Sequence, residues 1–68
     1  MYEVDARGLS CPEPVMMTAN ALKNHGGETL RVLLSEPHSR YNVEKFAKSQ
    51  GKKVTVTEKD DEFELVIE

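Results

Sequence analysis

The sequence predicts an α+β protein, a two-layer sandwich in which one four-stranded mixed sheet carries two helices on a single face. Apolar residues alternate in four short segments, as they do in half-buried strands, and recur at spacings of three and four in two others, as in amphipathic helices. The element order is therefore βαβαββ. Since 68 residues cannot cover both faces of a sheet, we expect residues 1–68 to form a single domain.

The first strand and the first helix are predicted in the segment that ends at Asn24. YEVDA places Tyr2 and Val4 on one face of a strand, and a helical stripe follows, formed by Val15, Ala19 and Leu22. Proline is favoured at the first helical position. We therefore expect Pro12 to begin this helix, with Cys11 at its N-cap or one residue away. Gly26 or Gly27 should end the helix in a left-handed conformation.

The second strand and helix follow with the same alternation and stripe. ETLRVLL alternates through Leu30, Val32 and Leu34. Ser39 is the predicted N-cap of a helix that reaches about Gln50 and stops at Gly51. Its predicted inner face comprises Val43, Phe46, Ala47 and Gln50, and its exposed stripe comprises Arg40, Glu44 and Lys48.

A hairpin is predicted to complete the sheet. KVTVTE and EFELVIE are alternating strands around the acidic turn KDD, and the last strand faces inward with Phe63, Leu65 and Ile67. A β-α-β unit places its two strands in parallel through a right-handed crossover. The open face of the sheet should carry Glu3, Arg31, Thr55, Thr57, Glu62 and Glu64.

Composition limits the classes of function. A net charge of −3 and an aromatic content of 6% argue against direct nucleic-acid binding, and no apolar run is long enough for a membrane span. One cysteine and no export-signal pattern predict a cytoplasmic protein. The charged outward positions of the last strand (Glu62, Glu64 and Glu68) argue against edge pairing, so a monomer is expected.

The only cysteine, Cys11, lies in DARGLSCPEPVMM between a glycine turn and a helix start. The positive end of the helix dipole favours a thiolate there. Pro12 and Pro14 stiffen the turn and leave chiefly the N–H groups of Glu13 and Val15 to meet an anion, while the Glu13 carboxylate opposes the thiolate. The alternative is that Cys11 is a small buried apolar residue and that the prolines only mark the helix start.

Other candidate site residues lie at the start of the second helix. His38 and Arg40 should share a sheet edge with Cys11, because both βα loops open on the same side of a parallel pair. Arg40 either favours an anionic sulfur or pairs only with Glu44 on the solvated stripe. His25, a solvated residue, lies about 20 Å away at the far end of the first helix, so no metal site is predicted.

DARGLSCPEPVMMT resembles the N-terminal signature of the TusA/SirA-like sulfur-carrier family, a Cys-Pro-x-Pro motif after a D-x-x-G-L turn. The resemblance extends over the whole chain and shares the βαβαββ order. It implies that Cys11 accepts sulfur as a persulfide from a desulfurase- or rhodanese-type donor and passes it to an acceptor protein, in the manner of a sulfurtransferase and without a cofactor. The implied supporting residues are Gly8, Pro12, Glu13, Pro14, His38 and Arg40.

The second loop bears on the branch of the family. LSEPHSRYNVEKFA lacks the acidic stretch of TusA-like carriers, and NVEKFAKSQG resembles the YedF-like branch more closely. The resemblance therefore leaves open whether the sulfur serves tRNA thiolation, selenium metabolism or another delivery. A lone cysteine suits a carrier, because a second thiol would attack the persulfide and release its sulfur. Two alternatives remain: a non-catalytic interaction or regulatory module that uses an exposed Met17 edge or the acidic hairpin, and a thiol redox sensor, which lacks a resolving cysteine.

Overall fold

A computed structural model describes residues 1–10 and 12–68 of the chain. The strands are β1 (Tyr2–Asp5), β2 (Leu30–Leu34), β3 (Val54–Lys59) and β4 (Glu62–Ile67), and the helices are α1 (Glu13–Asn24) and α2 (Pro37–Ser49). The predicted βαβαββ order is confirmed. Within the described part of the chain, neither helix combines the length and the apolar character that a bilayer crossing requires.

The sheet is mixed, as predicted, and its spatial order is β1-β2-β4-β3. β1 runs parallel to β2, with Val4 opposite Val32, and β4 pairs antiparallel with both β2 and β3. The last strand therefore lies inside the sheet, and the edges are β1 and β3. The charges on β4 do not protect an edge, so the reason given for a monomer is wrong.

The core lies between the helices and one face of the sheet. Its strand residues are the alternating ones, and five of them are at most 1% exposed: Leu30, Val32, Leu34, Leu65 and Ile67. Burial of apolar side chains of this size supplies the main favourable free energy of folding in a small domain. The inward faces predicted for β2 and β4 are confirmed.

Ion pairs cover the opposite face of the sheet. Arg31 donates to Glu64 and, at 2.6 Å, to Glu3, so that three neighbouring strands are linked side by side. The hydrogen bond to Glu64 is the largest cause that raises the pKa of Arg31. The predicted placement of these residues on the open face is confirmed.

The buried stripe of α1 differs from the predicted one by its register. Pro14, Thr18 and Ala21 are buried, whereas Val15, Ala19 and Leu22 lie half-buried beside them. A threonine can occupy the stripe because its hydroxyl donates to the Pro14 carbonyl at 2.8 Å. Hydrophobicity alone misses a polar residue whose hydrogen bond is supplied by its own helix.

The two methionines near the start of α1 differ in their exposure. Met16 is 63% exposed, and Met17 packs partly buried against the core. The shift of the buried stripe explains this difference, because Met17 lies three residues after Pro14 and four before Ala21 and so shares their face of the helix. The exposed methionine edge predicted at Met17 is therefore formed by Met16.

α1 does not end at a glycine in the left-handed conformation, so this prediction is wrong. The positive-φ glycines of the described chain are Gly8 and Gly51, and the C-cap of α1 is His25 at φ −131°. Glycine is required at position 26 for another reason, since a Cβ there would lie 2.7 Å from the Leu22 carbonyl oxygen.

His25 is also less solvated than predicted. Its ring stacks on Tyr2 at 3.8 Å between centroids, and its Nδ1 lies 3.0 Å from a Glu28 carboxylate oxygen. The contact with Tyr2 joins the end of α1 to the edge strand β1.

α2 begins earlier than predicted. Glu36 is its N-cap and Pro37 its first residue, because proline suits the first helical position. Ser39, the predicted cap, is a helical residue with 1% exposure. Gln50, predicted on the inner face, is the exposed C-cap residue, and the helix stops at Gly51 as predicted.

The hairpin turn has the predicted position. Asp60 and Asp61 have φ values of 53° and 64°, and Lys59 pairs with Glu62 across the turn. Two consecutive residues with positive φ are typical of a two-residue hairpin, in which aspartate is tolerated.

Candidate functional site

The described residues of the proline-marked motif lie where the β1–α1 loop ends and α1 begins. Cys11 itself is outside the described residues, so its predicted place at the N-terminus of the helix stays a prediction. Pro12 is the N-cap, at φ −94°, instead of the first helical residue, and Glu13 and Pro14 are the first two residues of α1. The helix therefore begins one residue later than predicted.

The backbone donors of this turn are used differently from the prediction. The Glu13 N–H donates to the Ser10 carbonyl at 3.1 Å, and the Met16 N–H donates to the Pro12 carbonyl at 3.0 Å. The Glu13 N–H was predicted to meet an anion, which is wrong because it is already paired. The hydrogen bond to Ser10 therefore joins the first residue of α1 to the loop before it.

Pro14 anchors this turn to the core. Its ring is fully buried, and its carbonyl accepts the Thr18 hydroxyl within the helix. The Glu13 side chain beside it is exposed. Pro14 therefore combines the predicted stiffening of the helix start with a packing role that the motif alone does not reveal.

Asp5 and Arg7 form a charged clamp at the beginning of the loop. The Asp5 carboxylate accepts from the Arg7 backbone N–H at 3.2 Å and from its guanidinium Nε and Nη2 at 2.9 and 2.8 Å. The side-chain hydrogen bonds from Arg7, followed by its backbone N–H, lower the pKa of Asp5 to about 2. The guanidinium also reaches Glu62 on β4 at 3.5 Å.

Sequence reasoning missed this clamp, although a signal was present. An aspartate often accepts the backbone N–H two residues ahead of it in a turn, and Asp5-x-Arg7 adds an opposite charge at that position. The clamp holds the point at which the chain leaves the sheet.

The two βα loops meet at one hydrogen bond. The Gly8 N–H donates to the Ser35 hydroxyl oxygen at 2.7 Å, and Gly8 has a φ of +80°. Gly8 was predicted to support the site, whereas Ser35 was not singled out. The contact supports the expectation that both loops open on the same edge of the sheet.

His38 and Arg40 begin α2 on this edge. His38 is an exposed residue of the first turn. Arg40 donates to Glu44 at 2.9 Å, and its guanidinium carbon lies 5.7 Å from the centre of the Phe63 ring. Whether either side chain is close to Cys11 stays a prediction, because Cys11 is not described.

Of the two roles open to Arg40, the ion pair with Glu44 is present. Glu44 also pairs with Lys48 at 3.0 Å, and the Lys48 hydrogen bond followed by that of Arg40 lowers the Glu44 pKa. The predicted stripe is thus an ion-pair chain, in which Glu44 is half-buried. The Arg40 Nε is buried without a partner, so the stripe is less solvated than predicted.

The described part of the chain contains no metal-binding cluster at this edge of the sheet. Residues 1–10 and 12–68 include no group of three His, Cys, Asp or Glu side chains that could hold an ion. An apolar groove between the helices runs beside Pro12 and is lined by Val15 and Phe46.

The chain resembles known proteins over nearly its whole length. The sequence profile described as sulfurtransferase TusA matches residues 2–68. The sulfur carrier protein TusA of Pseudomonas putida F1 is 36% identical over 58 residues, which cover 84% of this chain and 72% of that protein. The protein of the same description from Pseudomonas aeruginosa PAO1 is 43% identical over 44 residues, which are 63% of this chain and 56% of that one.

A solved structure shares the fold. The crystal structure of a SirA-like protein from Desulfitobacterium hafniense superposes with a TM-score of 0.91 and 34% sequence identity, covering 98% of this chain and 95% of that one. The profile match and the relatives confirm the predicted TusA/SirA-like family, and the SirA-like structure agrees with the βαβαββ architecture. This chain belongs to the TusA family of sulfurtransferases.

Proposed function

We propose that this protein is a sulfur carrier and that Cys11 bears the sulfur as a persulfide. The observation that carries the proposal is the match to TusA sulfur carriers in a chain whose one cysteine is Cys11. Persulfide transfer needs one thiol and no neighbour that could reduce it. A chain with a single cysteine meets that need.

The transfer is a thiol exchange at sulfur. The Cys11 thiolate attacks the terminal sulfur of a persulfide on the donor protein, a new S–S bond forms on Cys11, and the donor S–S bond breaks. The donor cysteine leaves as a thiolate and takes up a proton equivalent to the one that Cys11 lost. An acceptor nucleophile then attacks the terminal sulfur, and Cys11 leaves as a thiolate.

Six residues support this chemistry in the proposal. Gly8, Pro12 and Pro14 fix the shape of the loop, whereas Glu13 keeps the thiol from ionising too readily. Arg40 adds positive charge near an anionic sulfur, and the His38 side chain assists the thiol. The partners are a sulfur donor of the desulfurase or rhodanese type and an acceptor protein, with cytoplasmic action as part of the proposal.

The acceptor depends on the branch of the family. The second loop lacks the acidic stretch of TusA-like carriers, and the segment NVEKFAKSQG, which begins in α2, supports a YedF-like carrier. The carrier therefore delivers its sulfur to an acceptor outside the tRNA thiolation route of the TusA branch.

Intact mass spectrometry tests the proposal directly. The protein is incubated with a cysteine desulfurase and cysteine beside the Cys11→Ser variant. We expect a gain of one sulfur atom on the natural chain only, reversed by a reducing thiol. A serine variant that gains sulfur, or a natural chain that gains none from desulfurase and rhodanese donors while Cys11 still reacts with iodoacetamide, would refute it.

A further inference from the structure

We infer that Ser35 is a positioning residue, which holds the loop that carries Cys11 at the orientation needed for sulfur transfer from a protein donor. The inference rests on the proposed function and adds to it a residue of the second βα loop. Ser35 acts through the Gly8 backbone and touches no reacting atom.

The contact that carries the inference is short and crosses between two loops. The Gly8 N–H lies 2.7 Å from the Ser35 hydroxyl oxygen, and 27 residues separate the two along the chain. Gly8 stands three residues before Cys11. A hydrogen bond at this point therefore fixes the loop just before the sulfur-bearing residue.

Ser35 is held in place by its neighbours along the chain. The residue before it, Leu34, ends β2, is fully buried and pairs with Phe63 of β4. The residue after it, Glu36, is the N-cap of α2 and its carbonyl accepts the Arg40 N–H at 3.0 Å. The Ser35 hydroxyl is thus held between a central strand and a helix start.

The Gly8 side of the contact is less constrained. Gly8 is exposed and takes a φ of +80°, and the next N–H, that of Leu9, makes a long hydrogen bond of 3.3 Å to the Ala6 carbonyl. Without the Ser35 oxygen, water would pair with the exposed Gly8 N–H. The fold would persist while the loop lost one of its ties to the sheet, because the Ala6 N–H still donates to the Leu33 carbonyl and Arg7 still pairs with Glu62.

Loss of the Ser35 hydrogen bond should slow the reaction of Cys11 with protein donors more than its reaction with small reagents. Sulfur transfer between two proteins requires the attacking thiolate to approach the donor sulfur in line, and small displacements of a reacting group slow such steps strongly. A small alkylating reagent approaches from any open direction. Ser35 should therefore affect sulfur loading and leave alkylation nearly unchanged.

The test compares both rates in three variants of the full chain. We expect Ser35→Ala to load sulfur from a cysteine desulfurase about fivefold to tenfold more slowly, as loss of one hydrogen bond of ordinary strength predicts, with the rate of iodoacetamide alkylation within about twofold. Ser35→Thr keeps the acceptor oxygen and should restore loading. Ser49→Ala removes a hydroxyl that bonds the Phe46 carbonyl at the other end of α2 and should leave both rates unchanged.

The outcomes separate this inference from the proposed function. A natural chain that takes up no sulfur refutes the function itself. If the natural chain loads and Ser35→Ala loads at the same rate, or if alkylation falls in parallel with loading, the positioning role is refuted. Loss of the folded circular dichroism signal in Ser35→Ala would also refute it, because the serine would then support the fold as a whole.

Discussion

Replacing Gly8 with alanine should destabilise the protein through its backbone alone. Gly8 has a φ of +80°, a conformation that costs an L-residue roughly 1–2 kcal/mol. A Cβ at this position would have no heavy atom within 4 Å, so no steric clash adds to that cost. We therefore expect Gly8→Ala to lower the free energy of unfolding by about 1–2 kcal/mol.

The matched control is Gly27→Ala. Its Cβ also enters open space, and Gly27 is not among the positive-φ glycines. Alanine there restricts the unfolded chain and should be neutral or stabilising, by up to about 1 kcal/mol. The two variants add the same methyl group, so the difference between them isolates the backbone conformation of Gly8.

Urea unfolding and thermal unfolding, both followed by circular dichroism, measure the two variants. In a domain of this size a loss of about 1 kcal/mol lowers Tm by roughly 4–8 °C, which is well resolved. Gly8→Asn should recover part of the loss, because asparagine tolerates the left-handed region. Equal stabilities for Gly8→Ala and Gly27→Ala would refute the argument from backbone strain.

Three further changes test the core, the clamp and the helix start. Leu65→Ala should lower the free energy of unfolding by about 2–5 kcal/mol in urea titrations, because Leu65 is fully buried on a central strand. An NMR titration should place the pKa of the Asp5 carboxyl at about 2, and Arg7→Gln should return that pKa toward 3.8. Because the pKa is lower in the folded protein than in the unfolded chain, the clamp stabilises the fold above about pH 4. This stabilisation is lost as the pH falls toward about 2. Thr18→Val keeps the shape but removes the hydroxyl that donates to Pro14, and calorimetry should show a loss of about 1 kcal/mol.

Strands were more predictable than helices because sheet burial follows a period of two. Val32 and Leu65 face each other across β2 and β4, and both positions follow directly from alternation in the sequence. A shift of one residue would place polar side chains in the core, so the pattern leaves one register.

The helix faces were less predictable because several of their buried positions hold residues that are not strongly hydrophobic. Pro14 and Thr18 are buried in α1, and Ser39 is buried in α2, yet none of them has the hydrophobicity that a periodicity search detects. Thr18 is satisfied by a carbonyl of its own helix. This intrahelical hydrogen bond allows Thr18 into the core without a long-range signal in the sequence, whereas the buried Ser39 hydroxyl has no hydrogen-bond partner among the described residues.

The common edge of the two βα loops was predictable from topology, whereas the contacts on it were not. Parallel β1 and β2 bring the loops together, and the hydrogen bond between Gly8 and Ser35 realises this expectation. The sequence contains no periodic feature that distinguishes Ser35 from other loop serines. Only the register of the strands brings its hydroxyl opposite the Gly8 N–H.

The motif prolines differ in what their substitution can reveal. Pro12 is exposed at the N-cap, whereas Pro14 is fully buried in the first turn of α1. Pro14→Ala would remove buried apolar volume as well as a backbone constraint, so lower sulfur loading in that variant would confound packing with chemistry. Pro12→Ala changes the loop with little loss of core, and a slower loading there, at unchanged stability, would assign the role of the motif to the shape of the turn.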